Sequence, residues 1–336
     1  MNILVLSGGV STEREVSLRT STKVATALTE NGHKVAMIDV FFGEEKPLEF
    51  GTDTDFSGKA DKLRQKNDLI TEELIKKTGV MGPNVLETCK KADIVFIGLH
   101  GENGEDGKVQ AELDKAGVKY TGSGPEASAL AMDKSKTKEV VSPFVKMPKG
   151  ITLRKGEAFD EKVPAPCIVK PCNGGSSVGV VIVNKEEDYE KAIEEVFKYD
   201  DTILVEEFVK GRELTQAVID GKAYPPVEIM PDEDKWYDYT NKYNGETKEV
   251  CPAPISDDVL KRMSESSITF GEKLGLSVYY RIDYLLKEDG SLYALEANSL
   301  PGMTNTSLVP QEALAMGISY NQLCELIINK SLEKYN

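Results

Sequence analysis

The segment YYRIDYLLKEDGSLYALEANSLPGMT, residues 279–304, carries two carboxylates, a guanidinium and an amide at spacings that one sheet face can gather. Asp289-Gly290 is a two-residue hairpin signal between two β-rich runs. With those two residues as the loop, Glu288 faces Ser291, Asp283 lies directly opposite Glu296, and Arg281 lies opposite Asn298. Side chains alternate along a strand, so these last four share one face while Ile282, Tyr284, Leu295 and Ala297 share the other. Opposed carboxylates repel unless a cation lies between them, and hard oxygen ligands with one amide suit magnesium held partly by phosphate oxygens. The competing reading, a solvated sheet face, does not account for the apolar run on the opposite face. After Asn298 the strand breaks at Ser299-Leu300-Pro301-Gly302-Met303-Thr304, where a glycine N–H beside Arg281 can form an oxyanion hole and Ser307 can bind a carboxylate; an ordinary turn is the alternative.

A second chemical feature is IVKPCNGGSSVGVVIV, residues 168–183, two apolar runs joined by glycines and serines. Glycines let a backbone approach a ligand closely, and successive N–H groups in such a turn form a concavity suited to phosphate oxygens. It is not a Walker loop, because no G-K-[ST] follows the glycines and Lys170 stands in the strand before them. By itself the loop reads more readily as a structural hairpin turn than as a phosphate loop. Lys170, however, sits in the apolar run PCIVKP, where an unpaired ammonium is costly.

The elements that must position these residues alternate along the chain. NILVLS, GHKVAMID and DIVFIGLH are short β-rich runs separated by helix-length stretches such as SLRTSTKVATALTE, the pattern of an open parallel α/β unit. Residues 43–68 read as a poorly packed insertion or loop. From Ile151 onward strands come in antiparallel pairs (PCIVK with VGVVIV, LTQAVID with PPVEIM, YYRIDYLL with LYALEAN) mixed with helices, which is α+β character. With 336 residues the chain has room for two or three units, each with its own core. A formal net charge of -15 disfavours nucleic acid and anionic membrane as partners, so an anionic ligand is expected to meet a local basic pocket. Five single cysteines with no C-x-x-C pair argue against a disulfide frame or structural zinc and fit a reducing cytoplasm; no run approaches membrane-spanning length.

Eight strings in order, GGVSTEREVSLRT, LHGENGEDGKVQ, YTGSGPEASALAMDK, VKPCNGGSSVGV, VEEFVKGRE, YDYTNKY, RIDYLL and EANSLPGMTNTSLVP, resemble the D-alanine:D-alanine ligases of the ATP-grasp superfamily across nearly the whole chain. The resemblance implies an N-terminal open parallel α/β substrate domain (1–124) followed by a two-subdomain ATP-grasp fold. Its central subdomain (125–208) carries the glycine-serine phosphate loop, and its C-terminal subdomain (209–336) the metal and oxyanion site. It also implies a cytoplasmic homodimer that takes D-alanine and ATP as substrates and serves peptidoglycan synthesis. ATP phosphorylates one D-alanine carboxylate, and the amine of a second D-alanine attacks the acyl phosphate, so the protein supplies positioning and charge stabilisation.

Carried over residue by residue, the resemblance assigns Lys134 and Lys170 to the ATP phosphates, with Lys242 and Ser177 beside them. Glu206 with the backbone of Glu207 and Val209 matches the adenine hinge, and Glu213 the ribose acceptor. Asp283, Glu296 and Asn298 match ligands of two Mg2+ or Mn2+ ions; Arg281 and the Gly302 N–H take the oxyanion. Glu13 matches the residue holding the first D-alanine ammonium, although an acidic helix start is its plain alternative. His100 belongs near the same substrate, Ser307 and Leu308 at the second carboxylate, and Glu13, Ser176 and Tyr243 match a hydrogen-bonded set that closes the site. Tyr243 resembles relatives whose second substrate is an amine. A ligase using D-serine or D-lactate, or another carboxylate-amine ligase of the superfamily, is the alternative; a Rossmann NAD enzyme lacks its G-x-G-x-x-G.

Overall fold

The computed structural model describes residues 1–158, 161–175, 178–230 and 248–336. Strand β1 (Asn2–Ser7), helix α1 (Arg14–Glu30) and strand β2 (Lys34–Asp39) open a parallel unit. Then come α2 (Phe56–Arg64), α3 (Glu72–Thr78), α4 (Val85–Cys89), β3 (Ile94–Ile97) and α5 (Lys108–Lys115). The sheet order is β2-β1-β3, all parallel, and Ile3 to Leu6 and Ile94 to Ile97 are buried, as expected of parallel strands covered on both faces. The stretch 43–68 is not the loose insertion its polarity suggests. Asp55 caps α2 by accepting from the Gly58 N–H, and Phe56, Ala60 and Leu63, spaced for one helix face, are buried in the core of this unit.

Helices α6 (Pro125–Met132) and α7 (Lys134–Val141) lead to strands β4 (Gly150–Arg154), β5 (Cys167–Pro171), β6 (Val181–Val183), helix α8 (Tyr189–Val196) and strand β7 (Thr202–Glu207). They form an antiparallel sheet of order β4-β7-β5-β6 with α8 against it. The remainder comprises β8 (Arg212–Ile219), β9 (Lys222–Ala223), β10 (Val227–Met230), β11 (Lys248–Val250), α9 (Asp257–Leu274), β12 (Tyr279–Leu286), β13 (Leu292–Asn298), α10 (Leu308–Ala315) and α11 (Tyr320–Glu333). Its antiparallel sheet runs β11-β10-β8-β12-β13, with β9 beside β8. The mixed α/β and α+β architecture agrees with the sequence expectation.

The β12–β13 hairpin pairs Arg281 with Asn298, Ile282 with Ala297 and Asp283 with Glu296, but its turn differs from the two-residue loop. Register shifts by one after Asp283, so Tyr284 pairs with Ala294 and Leu286 with Leu292, and the Lys287 N–H donates to the Ser291 carbonyl at 2.9 Å. Three residues, 288–290, therefore make the loop, with Gly290 at φ +79°, and Glu288 does not face Ser291. Leu295 is the extra residue of a bulge and is half-buried, and Ala294 takes the place on the apolar face expected for it. The longer loop and the bulge each add one residue, and the two cancel at the polar end of the hairpin.

Apolar packing falls into three clusters. One joins the parallel sheet to Tyr279, Leu300, Met303, Val309 and the buried face of α11, so the end of the chain returns to its beginning. The second packs α6, α7 and α9 on the apolar face of β8, β12 and β13, and the third lies between β5, β7 and α8. Among the described residues no helix is long and apolar enough to cross a membrane, and all five cysteines are unpaired.

Candidate active site

The face of β12 and β13 turned away from the second core borders a cavity of about 800 Å3. Glu13, His100, Lys134, Glu213, Arg281, Asp283, Glu296, Asn298, Gly302, Ser307 and Leu308 all line it. Lys170, Glu206, Glu207 and Val209 lie behind this lining, on β5, β7 and the turn after β7. Ser176, Ser177, Lys242 and Tyr243 lie outside the described residues.

Asp283 is the centre of the polar face. Arg281 grips it with two contacts, Nε to Oδ1 at 2.8 Å and an η nitrogen to Oδ2 at 2.9 Å. Thr215, directly opposite on β8, donates its hydroxyl to Oδ1 at 2.6 Å, and the Asn298 amide donates to Oδ2 at 3.1 Å. Glu296, across the hairpin, faces the Lys134 ammonium at 3.4 Å, and Lys134 also donates to the Gly174 carbonyl at 2.7 Å. Each carboxylate thus has a protein cation beside it.

Among the described residues the expected basic groups share the cavity wall with acidic ones. Glu13, Glu105, Glu213, Glu249, Asp283 and Glu296 line the cavity together with Arg19, Lys23, Arg64, Lys134 and Arg281, and Lys134 and Arg281 each face a carboxylate. Lys170 contacts Glu206 at 2.6 Å, and Lys138, one helical turn beyond Lys134 on α7, contacts the other Glu206 oxygen at 2.6 Å. Both oxygens of Glu206 are therefore committed to lysines, and the Glu207 N–H donates to the Lys149 carbonyl at 2.8 Å. Burial works to raise the Glu206 carboxyl, but Lys170 and then Lys138 overcome it and hold it below the ordinary range. Burial likewise works against the charge on Lys170, while Glu206 and Glu296 together raise its pKa.

Two loops, those of Gly101 and Gly175, converge on Glu13. A Cβ built on Gly101 would come within 3.1 Å of a Glu13 oxygen, and one on Gly175 within 3.3 Å, so glycine at both sites lets the backbone close around this carboxylate. Arg14 anchors the same loop by a buried pair with Asp39 at 2.6 Å and a bond to the Gly9 carbonyl at 2.7 Å. His100 is buried, with Nε2 at 3.0 Å from the Thr20 hydroxyl. Burial pushes its imidazole down further than the nearby Glu13 charge restores. The loop after β13 is fixed at several points: Leu300 N–H to Glu105, Met303 N–H to the Thr20 hydroxyl, Met303 carbonyl from Tyr320, and Thr304 N–H to the Ser307 hydroxyl. The Gly302 N–H has no partner among the described residues and adjoins the cavity.

Glu105, inside the LHGENGE string, is a site residue that sequence reading missed. Its two oxygens accept the Gly101 N–H at 2.9 Å and the Leu300 N–H at 3.2 Å, tying the loop after β3 to the loop after β13. Burial, reinforced by Glu13, pushes this carboxyl up to about 8 against the pull of those N–H groups and Arg281. A raised folded pKa means a stability contribution that is complete below the ordinary value of 4.5 and is lost as pH rises toward 8. The melting temperature of the wild type is therefore expected to fall, relative to that of Glu105→Gln, by a few degrees between about pH 5 and pH 9. A difference between the two melting curves that is independent of pH would overturn this.

Cys172 and Asn173, unusual in the glycine loop, have structural roles. Cys172 is buried, accepts the Lys134 N–H on its carbonyl at 2.9 Å and donates its own N–H to Thr202 at 3.0 Å. Asn173 donates its backbone N–H and its amide to one Asp200 oxygen at 2.8 and 3.0 Å. Together they clamp the base of the loop to α7 and to the start of β7. Lys138 had a local signal, since it stands four residues after Lys134 on one helix face, whereas Thr215 and Asp200 had none.

The chain matches the family models described as D-ala D-ala ligase N-terminus over residues 2–123 and D-ala D-ala ligase C-terminus over residues 141–329. It is 42% identical to a D-alanine--D-alanine ligase of Pediococcus pentosaceus, covering 98% of this chain and 97% of that protein. It is 41% identical to one of Lacticaseibacillus casei, covering 100% and 97%. Among solved structures, the D-alanine--D-alanine ligase of Bacillus anthracis complexed with ATP superposes with a TM-score of 0.78 at 30% identity, over 99% of this chain and 98% of that one. A D-Ala:D-Ser ligase of Enterococcus faecalis gives the same score at 27% identity, over 98% and 99%. Full-length identity at this level, together with the hairpin geometry above, places the chain in the D-alanine--D-alanine ligase family.

Proposed function

We propose that this protein joins two D-alanines to D-alanyl-D-alanine at the expense of ATP, with an acyl phosphate between the two steps. The observation that carries the reading is the convergence on one cavity of the Arg281, Asp283, Glu296 and Asn298 face, the Gly302 N–H without a partner among the described residues, the start of α10 at Ser307 and Leu308, and Glu13. Glu13 holds the ammonium of the first D-alanine, with the neutral His100 beside it. Arg281 and the Gly302 N–H receive the charge that develops on the carbonyl oxygen. The first N–H groups of α10 and the Ser307 hydroxyl take the second carboxylate. Lys134 and Lys170 meet the ATP phosphates, the hinge after β7 takes adenine and Glu213 the ribose. Ser176, Ser177, Lys242 and Tyr243 are assigned by family resemblance to the phosphates and to closure over the intermediate, which keeps water out.

The donor set suits magnesium or manganese: two carboxylates and an amide on one strand pair at the cavity wall. Asp283, Glu296 and Asn298 would hold such ions, which when bound neutralise the charge of the transferring phosphoryl group. Arg281 must then loosen its double contact with Asp283 to reach the carbonyl oxygen. A cytoplasmic homodimer supplying peptidoglycan precursors, with the substrate unit at 1–124 and the ATP-grasp subdomains at 125–208 and 209–336, follows from the same family reading.

The test is a product scan with ATP, Mg2+ and D-alanine, alone or with D-serine or D-lactate as second substrate. The expected result is ADP release that depends on D-alanine, with D-alanyl-D-alanine as the main product. Equal use of L-alanine, or ADP formed without any amino acid, would overturn the reading.

A further inference from the structure

Glu312 on α10 is fully buried and only half satisfied. Its Oε2 accepts the Ala217 N–H at 2.6 Å, while Oε1 has no hydrogen-bond partner among the described residues. A carboxyl at this point answers a need of the sheet. Strand β10 pairs with β8 only as far as Val227 opposite Thr215, and β9 pairs with it only from Ile219 to Val218, where Ala223 stands opposite. Ala217 falls in the gap between them, where a buried N–H without an acceptor is costly. Glu312 supplies that acceptor from outside the sheet.

The place of this bond in the sheet gives it a bearing on the site. Ala217 lies directly opposite Arg281 on β12, two residues beyond Thr215, which holds Asp283. Five residues before Glu312, helix α10 begins at Ser307, which with Leu308 lines the cavity across from Arg281. Arg281 and Asp283 both act electrostatically on Glu312, so the carboxyl sits directly behind the polar face of the cavity. Gln311 adds a second tie from α10, through Glu249 of β11.

Resting on the ligase reading, we infer that Glu312 is a positioning residue: its bond to the Ala217 N–H fixes the Ser307 end of α10 against the strand pair that carries Arg281 and Asp283. The bond therefore sets the geometry of the second D-alanine relative to the oxyanion site. It needs one acceptor oxygen at the right reach and no negative charge. Gln at 312 satisfies it; Asp, one methylene shorter, and Leu, without an acceptor, do not.

The experiment compares Glu312→Gln, Glu312→Asp and Glu312→Leu with the wild type, by steady-state kinetics and by amide hydrogen exchange at Ala217. Glu312→Gln is expected to stay within about twofold of the wild type in every constant. Glu312→Asp and Glu312→Leu are expected to raise KM for the second D-alanine about tenfold or more while KM for ATP moves less than about twofold. The Ala217 amide should stay protected in the wild type and Glu312→Gln and exchange rapidly in the other two. Glu312→Gln as impaired as Glu312→Leu, unchanged D-alanine constants in Glu312→Asp, or parallel shifts for ATP and D-alanine would overturn the inference. If Glu312→Leu does not fold, the contrast between Asp and Gln decides. Failure of the wild type to form dipeptide would count against the ligase reading alone, and the exchange data would still test the tie, with slow exchange in Glu312→Asp overturning it.

Discussion

Glu296→Gln is expected to lose dipeptide synthesis by roughly a thousandfold or more while melting close to the wild type. The substitution keeps shape and removes one of two opposed charges at the cavity wall, where the Glu296 side chain is 29% exposed and meets the Lys134 ammonium at 3.4 Å. A charge this exposed contributes modestly to stability, whereas the proposed metal set loses a ligand. Asp283→Asn should lose activity to the same degree but also lower the melting temperature. Its carboxylate, 12% exposed, accepts from Arg281, Thr215 and Asn298, and an amide nitrogen in place of one oxygen would face a donor. The cost is on the order of 1–3 kcal/mol. ADP release, dipeptide chromatography and thermal melts of both variants decide the matter. Activity above about a tenth of the wild type in either one would remove the metal assignment.

The second large effect is expected at Glu206. Glu206→Ala leaves Lys138 and Lys170, 14% and 12% exposed, side by side with no shared carboxylate. Breaking a buried pair costs on the order of 3–5 kcal/mol, because the desolvated charges remain. Denaturant melts should show that loss, and ATP binding should weaken with it, since the lysines are no longer held in place. Glu206→Gln, which keeps the shape, should lose less. The pH dependence has a definite sign. The carboxyl of Glu206 is held below its ordinary pKa, so its contribution is complete above the ordinary value of 4.5 and disappears as pH falls through the lower, folded value. The stability difference between wild type and Glu206→Gln should therefore be full at neutral pH and shrink in acid. A difference that grows on acidification would show that the three groups do not act as described.

Most of the site that could be read in advance belongs to single strands and loops. The opposition of Asp283 to Glu296 follows from alternation in a short hairpin, and it survives a misjudged turn because the third loop residue and the bulge at Leu295 cancel. The helix α2 was hidden for the reverse reason. Its three apolar residues are sparse in a polar stretch, and only the shape of the core beneath Phe56, Ala60 and Leu63 makes them enough.

Local periodicity in this chain is sufficient for the alternation of parallel and antiparallel units, the polar face of the last hairpin and the glycine loop entered by Lys170, because each depends on neighbours within a strand or a turn. The partners of those residues come from far along the chain. Glu206 meets Lys138 and Lys170, Glu105 meets Leu300, Glu312 meets Ala217, and α11 packs against the first sheet. Spacing carries no record of such encounters, which arise when separate apolar faces are buried together. The same burial makes the polar groups caught between them find one another, since an unpaired charge or N–H there is too costly to keep. That is why Lys134, Lys138, Lys170 and Arg281 each face a carboxylate.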